Sequence, residues 1–289
     1  MKRTAFLAAT GGLLLLPSIA RADFESIETI ARGFPGVLGV YARTLGDGPP
    51  FLDYNSATSF PTASTIKVLI MATAFRAEEA TPGALDDVIV TRRKYLIGGS
   101  DFMSEQPDGA RFTVRQLLRP MITVSDNTVS NYLITHFGFD AINQTGVTAG
   151  MTQTTIARHF LDYNAIVTHH DNVTSPADMG TLLYTIAHGA REEIDTIVSS
   201  AHAKTMIEIM LGQTDRDGIP AGLPRGTQVA NKTGEIDGSR NDIAIIEPFT
   251  ASPYVLCVYS KWLTAYPPAY TAMHRLARLS YHLVAQTYG

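Results

Sequence analysis

Three short motifs hold the residues of this chain that are best suited to nucleophilic catalysis. In chain order they are Ser64-Thr65-Ile66-Lys67, Ser125-Asp126-Asn127 and Lys232-Thr233-Gly234. Each motif alone is a weak signal, because its residue types are common in all proteins. The three together, in this order and with roughly 60 and roughly 105 residues between them, predict a serine-based active site.

The first motif pairs a candidate nucleophile with a candidate base. A serine hydroxyl becomes strongly nucleophilic when a neighbouring base removes its proton. Lys67 follows Ser64 by three residues, so the two side chains share one face of a helix. The next residues, Val68-Leu69-Ile70-Met71, make this helix apolar on nearly all sides, so we expect the lysine to point into a cleft or the core. Burial beside another cation would lower its pKa. Taken alone, the motif also fits a helix cap followed by an exposed lysine.

The other two motifs supply groups that could move protons and bind a carbonyl. We interpret Ser125 as a proton relay and Asn127 as an amide that binds the substrate. Lys232 is predicted to hold the relay serine and to lower the pKa of Lys67. Gly234 is predicted to let the substrate backbone come close. The plainer alternatives are an N-cap at Ser125-Asp126-Asn127 and an edge-strand lysine followed by a turn glycine.

The elements that must position these motifs fall into two groups. Strand patterns occur near both ends of the chain, at Gly36–Thr44, Pro50–Tyr54, Thr227–Lys232, Asp242–Glu247 and Tyr254–Lys261. Helical periodicity dominates the middle, at Lys67–Phe75, Val114–Leu118, Thr128–His136, Pro176–Ile186 and Ile194–Leu211. Two further helices are predicted near the ends, at Phe24–Arg32 and Tyr270–Gln286.

This arrangement predicts an α/β fold of the α+β type. The five strands would form one antiparallel sheet covered by the first and last helices, with residues 23–60 and 212–289 as the α/β lobe. Residues 61–211 would form an all-helical lobe. We expect the active site in the cleft between the two lobes.

The first 22 residues have the pattern of a secretory signal peptide. Met1-Lys2-Arg3 is basic, the run to Leu16 is apolar, and the segment closes with Ala20-Arg21-Ala22. We expect cleavage before Asp23, which would leave residues 23–289 as an exported, periplasmic or secreted catalytic unit. The apolar run is short for a transmembrane helix, so no stable membrane insertion is predicted. An uncleaved membrane anchor is the alternative.

Composition narrows the partners that the protein could have. The net charge of −4 and the lack of a basic stripe predict no nucleic-acid partner. Cys257 is the only cysteine, so the chain cannot form an internal disulfide. His169-His170-Asp171 could suggest a metal, but adjacent histidines in an extended segment point to opposite faces and no further ligands are evident. We therefore expect a monomer without metal or cofactor.

The three motifs and their surroundings resemble the class A β-lactamase family, within the larger group of serine penicillin-recognising enzymes. The likeness runs from about Phe24 to the C-terminus and includes Phe60-Pro61, the segment 112–118 and Gly238-Ser239-Arg240. The resemblance implies a β-lactamase/transpeptidase-like fold, with a five-stranded antiparallel sheet, flanking helices and an all-helical lobe. It also implies an acyl-enzyme formed on Ser64.

The resemblance assigns a role to each matching position. The implied catalytic residues are Ser64, Lys67, Ser125 and Lys232. The implied substrate-binding residues are Asn127, Thr233, Gly234, Glu235 and Arg240. The backbone N–H groups of Ser64 and Glu235 would form the oxyanion hole. Arg240 would support the substrate carboxylate, although it falls one residue earlier than the family spacing.

One residue that the family pattern requires is absent. Family members that hydrolyse β-lactams quickly carry a glutamate in Arg-x-Glu-x-x-x-Asn, which positions the water that releases the acyl-enzyme. Here the segment is Arg158-His159-Phe160-Leu161-Asp162-Tyr163-Asn164, with Phe160 in place of the acid. Asp162 would be an imperfect substitute, and Asp171 is predicted to pair with Arg158 and close the loop.

Three functions follow from these observations. The first is an exported serine hydrolase of the class A β-lactamase type that opens the β-lactam amide, with slow deacylation because general-base help is lost. The second is a D,D-peptidase or another serine amidohydrolase of the same fold that acts on cell-wall peptides. The third is a non-turnover protein that binds β-lactams by trapping the acyl group.

Overall fold

The structure is a computed structural model that describes residues 26–288. The predicted signal peptide, residues 1–22, lies outside the described residues. Across residues 26–288, no helix is both long and apolar enough to cross a membrane.

One antiparallel sheet joins the two ends of the chain. The strands are β1 Val37–Thr44, β2 Leu52–Tyr54, β3 Phe60–Pro61, β4 Val88–Val90, β5 Arg111–Thr113, β6 Val173–Thr174, β7 Val229–Ile236, β8 Ser239–Ile246 and β9 Tyr254–Lys261. Five of them form a sheet in the order β2-β1-β9-β8-β7. Strand β1 pairs with β9 along its whole length, from Val37 opposite Lys261 to Thr44 opposite Tyr254. The predicted five-stranded antiparallel sheet and the α+β fold class are confirmed.

Helices cover both faces of this sheet. They are α1 Ile27–Arg32, α2 Lys67–Ala80, α3 Asp101–Ser104, α4 Val114–Thr123, α5 Asn127–Phe137, α6 Phe139–Thr148, α7 Tyr163–Val167, α8 Pro176–Glu192, α9 Ser200–Leu211 and α10 Pro267–Tyr288. Because side chains alternate along a strand, each strand contributes to two cores. Val40 and Leu256 pack with α1 and α10, whereas Tyr41 and Cys257 pack with the helices of the other face.

Helix α2 lies at the centre of the larger core. Every residue from Lys67 to Phe75 is buried, including the lysine itself. This agrees with the apolar sequence on all sides of the helix, which predicts that Lys67 points inward. A buried lysine without a partner would be strongly destabilising, so its surroundings must supply hydrogen-bond acceptors.

Several predicted elements differ from the structure in their bounds. The lobe predicted to be all-helical, residues 61–211, also contains the short strands β4, β5 and β6. The helix expected over Ile194–Leu211 begins at Ser200, because Glu193 adopts a left-handed conformation that ends α8 and the Ser199 hydroxyl caps α9 by accepting from His202 N–H. The strand expected to end at Lys232 continues to Ile236, since its pairing with β8 runs to Ser239. The Lys232-Thr233-Gly234 motif therefore lies inside the edge strand β7.

Candidate active site

Ser64 lies in a tight turn that leads directly into α2. The sequence predicts it in the first turn of the α-helix, whereas the structure places it in a 3₁₀ turn, Ala63–Ile66. Ala63 has a φ of 45°, a conformation that costs energy for a residue with a side chain. Ser64 is partly exposed and lines a narrow cavity of about 60 Å³ together with Asn127, Phe160 and Glu235.

The buried ammonium group of Lys67 is surrounded by hydrogen-bond acceptors. Its Nζ lies 2.6 Å from the carbonyl oxygen of Ser125, 3.1 Å from Ser125 Oγ and 2.8 Å from Asn127 Oδ1. Burial lowers the pKa of Lys67 well below the ordinary lysine value, and the nearby charge of Lys232 lowers it further. A lysine with a lowered pKa gives up its proton more readily than an ordinary lysine, and its neutral form can act as a base.

The Ser125 hydroxyl lies between the two buried lysines. Its Oγ is 3.1 Å from Lys67 Nζ and 2.9 Å from Lys232 Nζ. The predicted contact of both lysines with this serine is present in the structure. Ser125 has a φ of 58°, so a second strained residue lies in the site. Asp126 fixes this strained turn, since its carboxylate accepts hydrogen bonds from Val129 N–H and Met103 N–H, both at 2.8 Å.

Lys232 is fully buried in β7 and also has a displaced pKa. Its Nζ donates to Ser125 Oγ and, at 2.7 Å, to the Thr233 carbonyl oxygen. Burial lowers the pKa of Lys232 to about 7, although the carboxylates of Asp242 and Asp215 oppose that shift. Two coupled amines with lowered pKa values therefore share one hydroxyl, an arrangement suited to moving a proton.

Gly234 lets β7 approach the turn that contains Ser64. A Cβ at this position would lie 3.0 Å from Ser64 N and 3.1 Å from Thr62 O, which is closer than such atoms normally approach. The sequence predicts this glycine for close approach of the substrate, but the structure shows that the protein's own backbone already requires it. Gly234 thereby sets the distance between Ser64 and β7.

Two asparagines on α5 face the site, and only one of them was expected. Asn127 accepts from Lys67 and donates through Nδ2 to Gly98 O at 3.0 Å. Asn131, one helical turn further on, exchanges two hydrogen bonds with the backbone of Phe160, at 2.7 and 3.2 Å. The signal for Asn131 was its i+4 spacing from Asn127, which places both side chains on one helix face.

Phe160 brings an aromatic ring, rather than a carboxylate, to Lys67. The ring centroid is 4.4 Å from Lys67 Nζ, and the side chain is only 9% exposed. The two backbone bonds to Asn131 hold the residue in this place. An aromatic face can attract a cation, but it can neither orient nor deprotonate a water molecule.

The loop that carries Phe160 is closed by an ion pair. Arg158 Nη2 lies 2.7 Å from Asp171 Oδ1, which confirms the predicted pairing. Asn172, which the sequence did not single out, accepts from the N–H groups of Ala157 and Arg158 and donates to Arg158 O at 3.1 Å. The loop thus keeps a well-bonded closure although the acid is absent.

Asp162 and Asn164, which follow Phe160 in the sequence, both lie exposed at α7. Asp162 is exposed and caps α7, because its Oδ1 accepts from Ala165 N–H at 3.2 Å. Asn164 matches the family spacing in sequence, yet it lies exposed on α7. In this structure, therefore, Asp162 is engaged in capping a helix, and an aromatic ring holds the place beside Lys67.

Arg240, in β8, is buried and paired with two carboxylates. Its Nη1 lies 2.9 Å from Glu235 Oε2, its Nη2 lies 2.5 Å from Asp215 Oδ2, and its guanidinium stacks 4.9 Å from the centre of the Tyr270 ring. Burial lowers the pKa of Arg240, but the two carboxylates more than offset this and raise it. Asp215 and Tyr270 were not expected, because they lie far away in the chain and match no motif.

The segment around His169 contains no evident metal site. Both His169 and His170 are exposed. In the part of the chain that the structure describes, no three residues of the types that bind metals are grouped closely enough to hold an ion.

Comparison with known families gives a consistent result over nearly the whole chain. A model of the beta-lactamase enzyme family matches residues 24–284. A beta-lactamase of Proteus vulgaris is 28% identical over 240 residues, which is 81% of this chain and 77% of that protein.

This chain resembles solved structures of PBP-A and of class A β-lactamases. A mutant of PBP-A, solved as an acyl-enzyme complex with penicillin G, superposes with a TM-score of 0.79 at 25% identity and covers 90% of this chain and 94% of the other. A variant of the last common ancestor of Gram-negative class A β-lactamases gives a TM-score of 0.80 at 26% identity and covers 90% of this chain and 97% of the other.

Proposed function

The chain belongs to the beta-lactamase enzyme family, and we propose that it is an exported serine hydrolase that opens the β-lactam amide through an acyl-enzyme on Ser64 and releases the acyl group slowly. The observation that carries this proposal is the contrast around Lys67. Its Nζ contacts the relay hydroxyl of Ser125 on one side and the ring of Phe160 on the other.

Acylation begins with proton transfer from the Ser64 hydroxyl to Lys67. The lowered pKa of Lys67 makes its neutral form available as the base. Its Nζ is bonded to Ser125 and Asn127 here, so it must exchange one of these bonds to reach Ser64 when substrate binds. Ser64 Oγ then adds to the carbonyl carbon and forms a tetrahedral oxyanion.

Backbone N–H groups are suited to bind this oxyanion. We assign the role to Ser64 and Glu235, which both line the cavity. Because β7 is the edge strand of the sheet, alternate N–H groups along it have no strand partner and can donate to a ligand. Preorganised donors of this kind stabilise the charge that develops in the transition state.

Collapse of the intermediate breaks the C–N bond of the lactam. The Ser125 hydroxyl gives its proton to the leaving nitrogen, and the protonated Lys67 restores it across the 3.1 Å contact. Lys232 holds Ser125 Oγ during this transfer through its 2.9 Å hydrogen bond. The proton taken from Ser64 therefore ends on the leaving group.

Deacylation needs a water molecule with a base beside it. Loss of general-base help slows such a step by about 10²–10⁴-fold. With Phe160 beside Lys67 and Asp162 engaged as the cap of α7, we infer that the acyl-enzyme accumulates with penicillins.

The same site could serve a D,D-peptidase that acts on cell-wall peptides. The observation that favours this second candidate is again Phe160, since the acid of rapid β-lactam hydrolysis is absent. Export from the cytoplasm, which the sequence of residues 1–22 supports, would suit both candidates.

Intact mass measured over time after mixing with benzylpenicillin tests the proposal. We expect a rapid gain of one drug mass on the wild type and no gain on Ser64→Ala, followed by slow return of the free-protein mass. An adduct on Ser64→Ala would remove the assignment of the nucleophile. A permanent adduct would indicate an acyl-trapping protein instead of a hydrolase.

A further inference from the structure

The carboxylate-binding group that the family pattern implies is not free in this protein. Each Nη atom of Arg240 is paired with a carboxylate of the same chain, at 2.9 Å to Glu235 and 2.5 Å to Asp215. The third nitrogen, Nε, is buried without a hydrogen-bond partner. The guanidinium is thus held firmly but not ideally, because one N–H group remains unsatisfied.

Asp215 interacts with more than one implied substrate-binding residue. Burial would raise its pKa, but the ion pair with Arg240 and hydrogen bonds from Asp217 N–H and the Thr233 side chain leave it below the ordinary value. Thr233 and Arg240 therefore both interact with an internal carboxylate. Asp215 stays charged at neutral pH and keeps its hold on the guanidinium.

The two members of the Glu235–Arg240 pair differ in their access to the cleft. Glu235 is exposed, and it lines the cavity that also contains Ser64. The Arg240 side chain is only 6% exposed and is not among the residues that line this cavity. A ligand that approaches Ser64 along β7 therefore meets a negative charge before it meets the positive one.

We propose that the Glu235 side chain is a specificity determinant that screens Arg240 and slows acylation by donors with a carboxylate next to the scissile amide, relative to the same protein without this charge. The inference rests on the proposed acyl transfer at Ser64. A substrate carboxylate must displace Glu235 from Arg240, at the cost of placing two carboxylates near each other. A donor without that charge reacts without this displacement.

The test compares two donors that differ only in this charge. Benzylpenicillin carries the carboxylate, and its methyl ester does not. Rates of adduct formation are measured by intact mass for the wild type, Glu235→Gln and Asp237→Asn. Asp237 is an exposed acid two residues further on, so Asp237→Asn changes the net charge equally without touching Arg240.

Glu235→Gln should speed acylation by benzylpenicillin about tenfold and by the ester less than about twofold, since only the former carries the repelled charge. Asp237→Asn should change both rates by less than about twofold, because an exposed charge is screened by solvent. An equal effect of Glu235→Gln on both donors, or no effect, would overturn the inference while leaving Ser64 as the nucleophile. No adduct on any protein would overturn the proposed function as well. If Glu235→Gln folds poorly, Glu235→Ala removes the same charge.

Discussion

The residues around Ser64 and the loop of residues 158–172 are both tightly bonded, but they differ in the chemistry that they offer. The first region holds two buried lysines with lowered pKa values on a single hydroxyl. The second has an ion pair at its base and two backbone bonds to Asn131, yet it turns an aromatic ring toward Lys67.

This difference shows that a loop's architecture and its catalytic residue can be separated. Arg158, Asp171 and Asn172 maintain the loop through contacts that do not involve residue 160. The hydrogen bond between Lys232 and Ser125 likewise does not involve the loop. Each region can therefore be altered separately. Changes around Ser64 should affect acylation, and changes in the loop should affect deacylation.

The largest effect on the rate of acylation should follow from removing Lys67, the proposed base near Ser64. Lys67→Ala should slow acylation by benzylpenicillin by about 10²–10⁴-fold, because general-base help is lost. Lys232→Ala should also slow it strongly, since Ser125 would lose a donor. Circular dichroism checks the fold. Lys204→Ala is the matched control, because Lys204 is a half-buried lysine outside the site that pairs with Glu193. Unchanged acylation would leave Lys67 as a buried structural lysine only.

Adding an acid to the loop of residues 158–172 should accelerate deacylation. Phe160→Glu places a carboxylate beside Lys67, where it can activate water, so the acyl-enzyme should decay about 10²-fold faster or more. Phe160→Gln has the same shape without the charge and should give little gain. Decay is measured from the loss of adduct mass after excess penicillin is removed. Equal gains for both variants would show that opening the loop, not the carboxylate, is responsible.

The pH dependence of acylation should reflect the coupling of the two lysines. The rate should fall as pH is lowered through the depressed pKa of Lys67, because the base gains a proton. Lys232→Met removes the neighbouring cation, so the pKa of Lys67 should rise and this fall should occur at higher pH. Lys232→Arg keeps a cation and should retain the wild-type position of the fall. The same profile for both variants would contradict the coupling.

The smallest effect on deacylation should come from changing Asp162, the acid that lies nearest to Phe160 in the sequence. Asp162→Asn should change deacylation by less than about twofold, because Asp162 caps α7 and asparagine caps a helix equally well. The rate is measured by the same adduct-decay experiment. A large loss of rate would show that Asp162 reaches the acyl-enzyme and serves as the substitute base.

Local patterns in the sequence predicted the five-stranded sheet and located the three motifs that the structure brings together. The apolar run in Tyr254–Lys261 predicted β9 with its bounds, and the apolar run after Lys67 predicted a buried lysine. The helix predicted from Ile194 was too long, because periodicity alone does not detect the left-handed residue Glu193 that ends α8.

Contacts between distant segments could not be predicted in this way. The pairing of Arg240 with Asp215 joins β8 to the segment after α9, and neither residue carries a local signal for the other. The position of Phe160 over Lys67 likewise depends on Asn131, which lies on a different element. Sequence spacing indicated that the acid was missing, but only the structure shows where the aromatic ring lies.

The most direct test of the contrast between the two regions is rapid-mixing kinetics of the wild type with a chromogenic cephalosporin. Fast acylation and slow deacylation predict a burst of about one equivalent of product, followed by slow turnover. Rapid steady-state hydrolysis without a burst, unaffected by Asp162→Asn, would contradict this assignment. In that case another group, such as Lys67, activates the water.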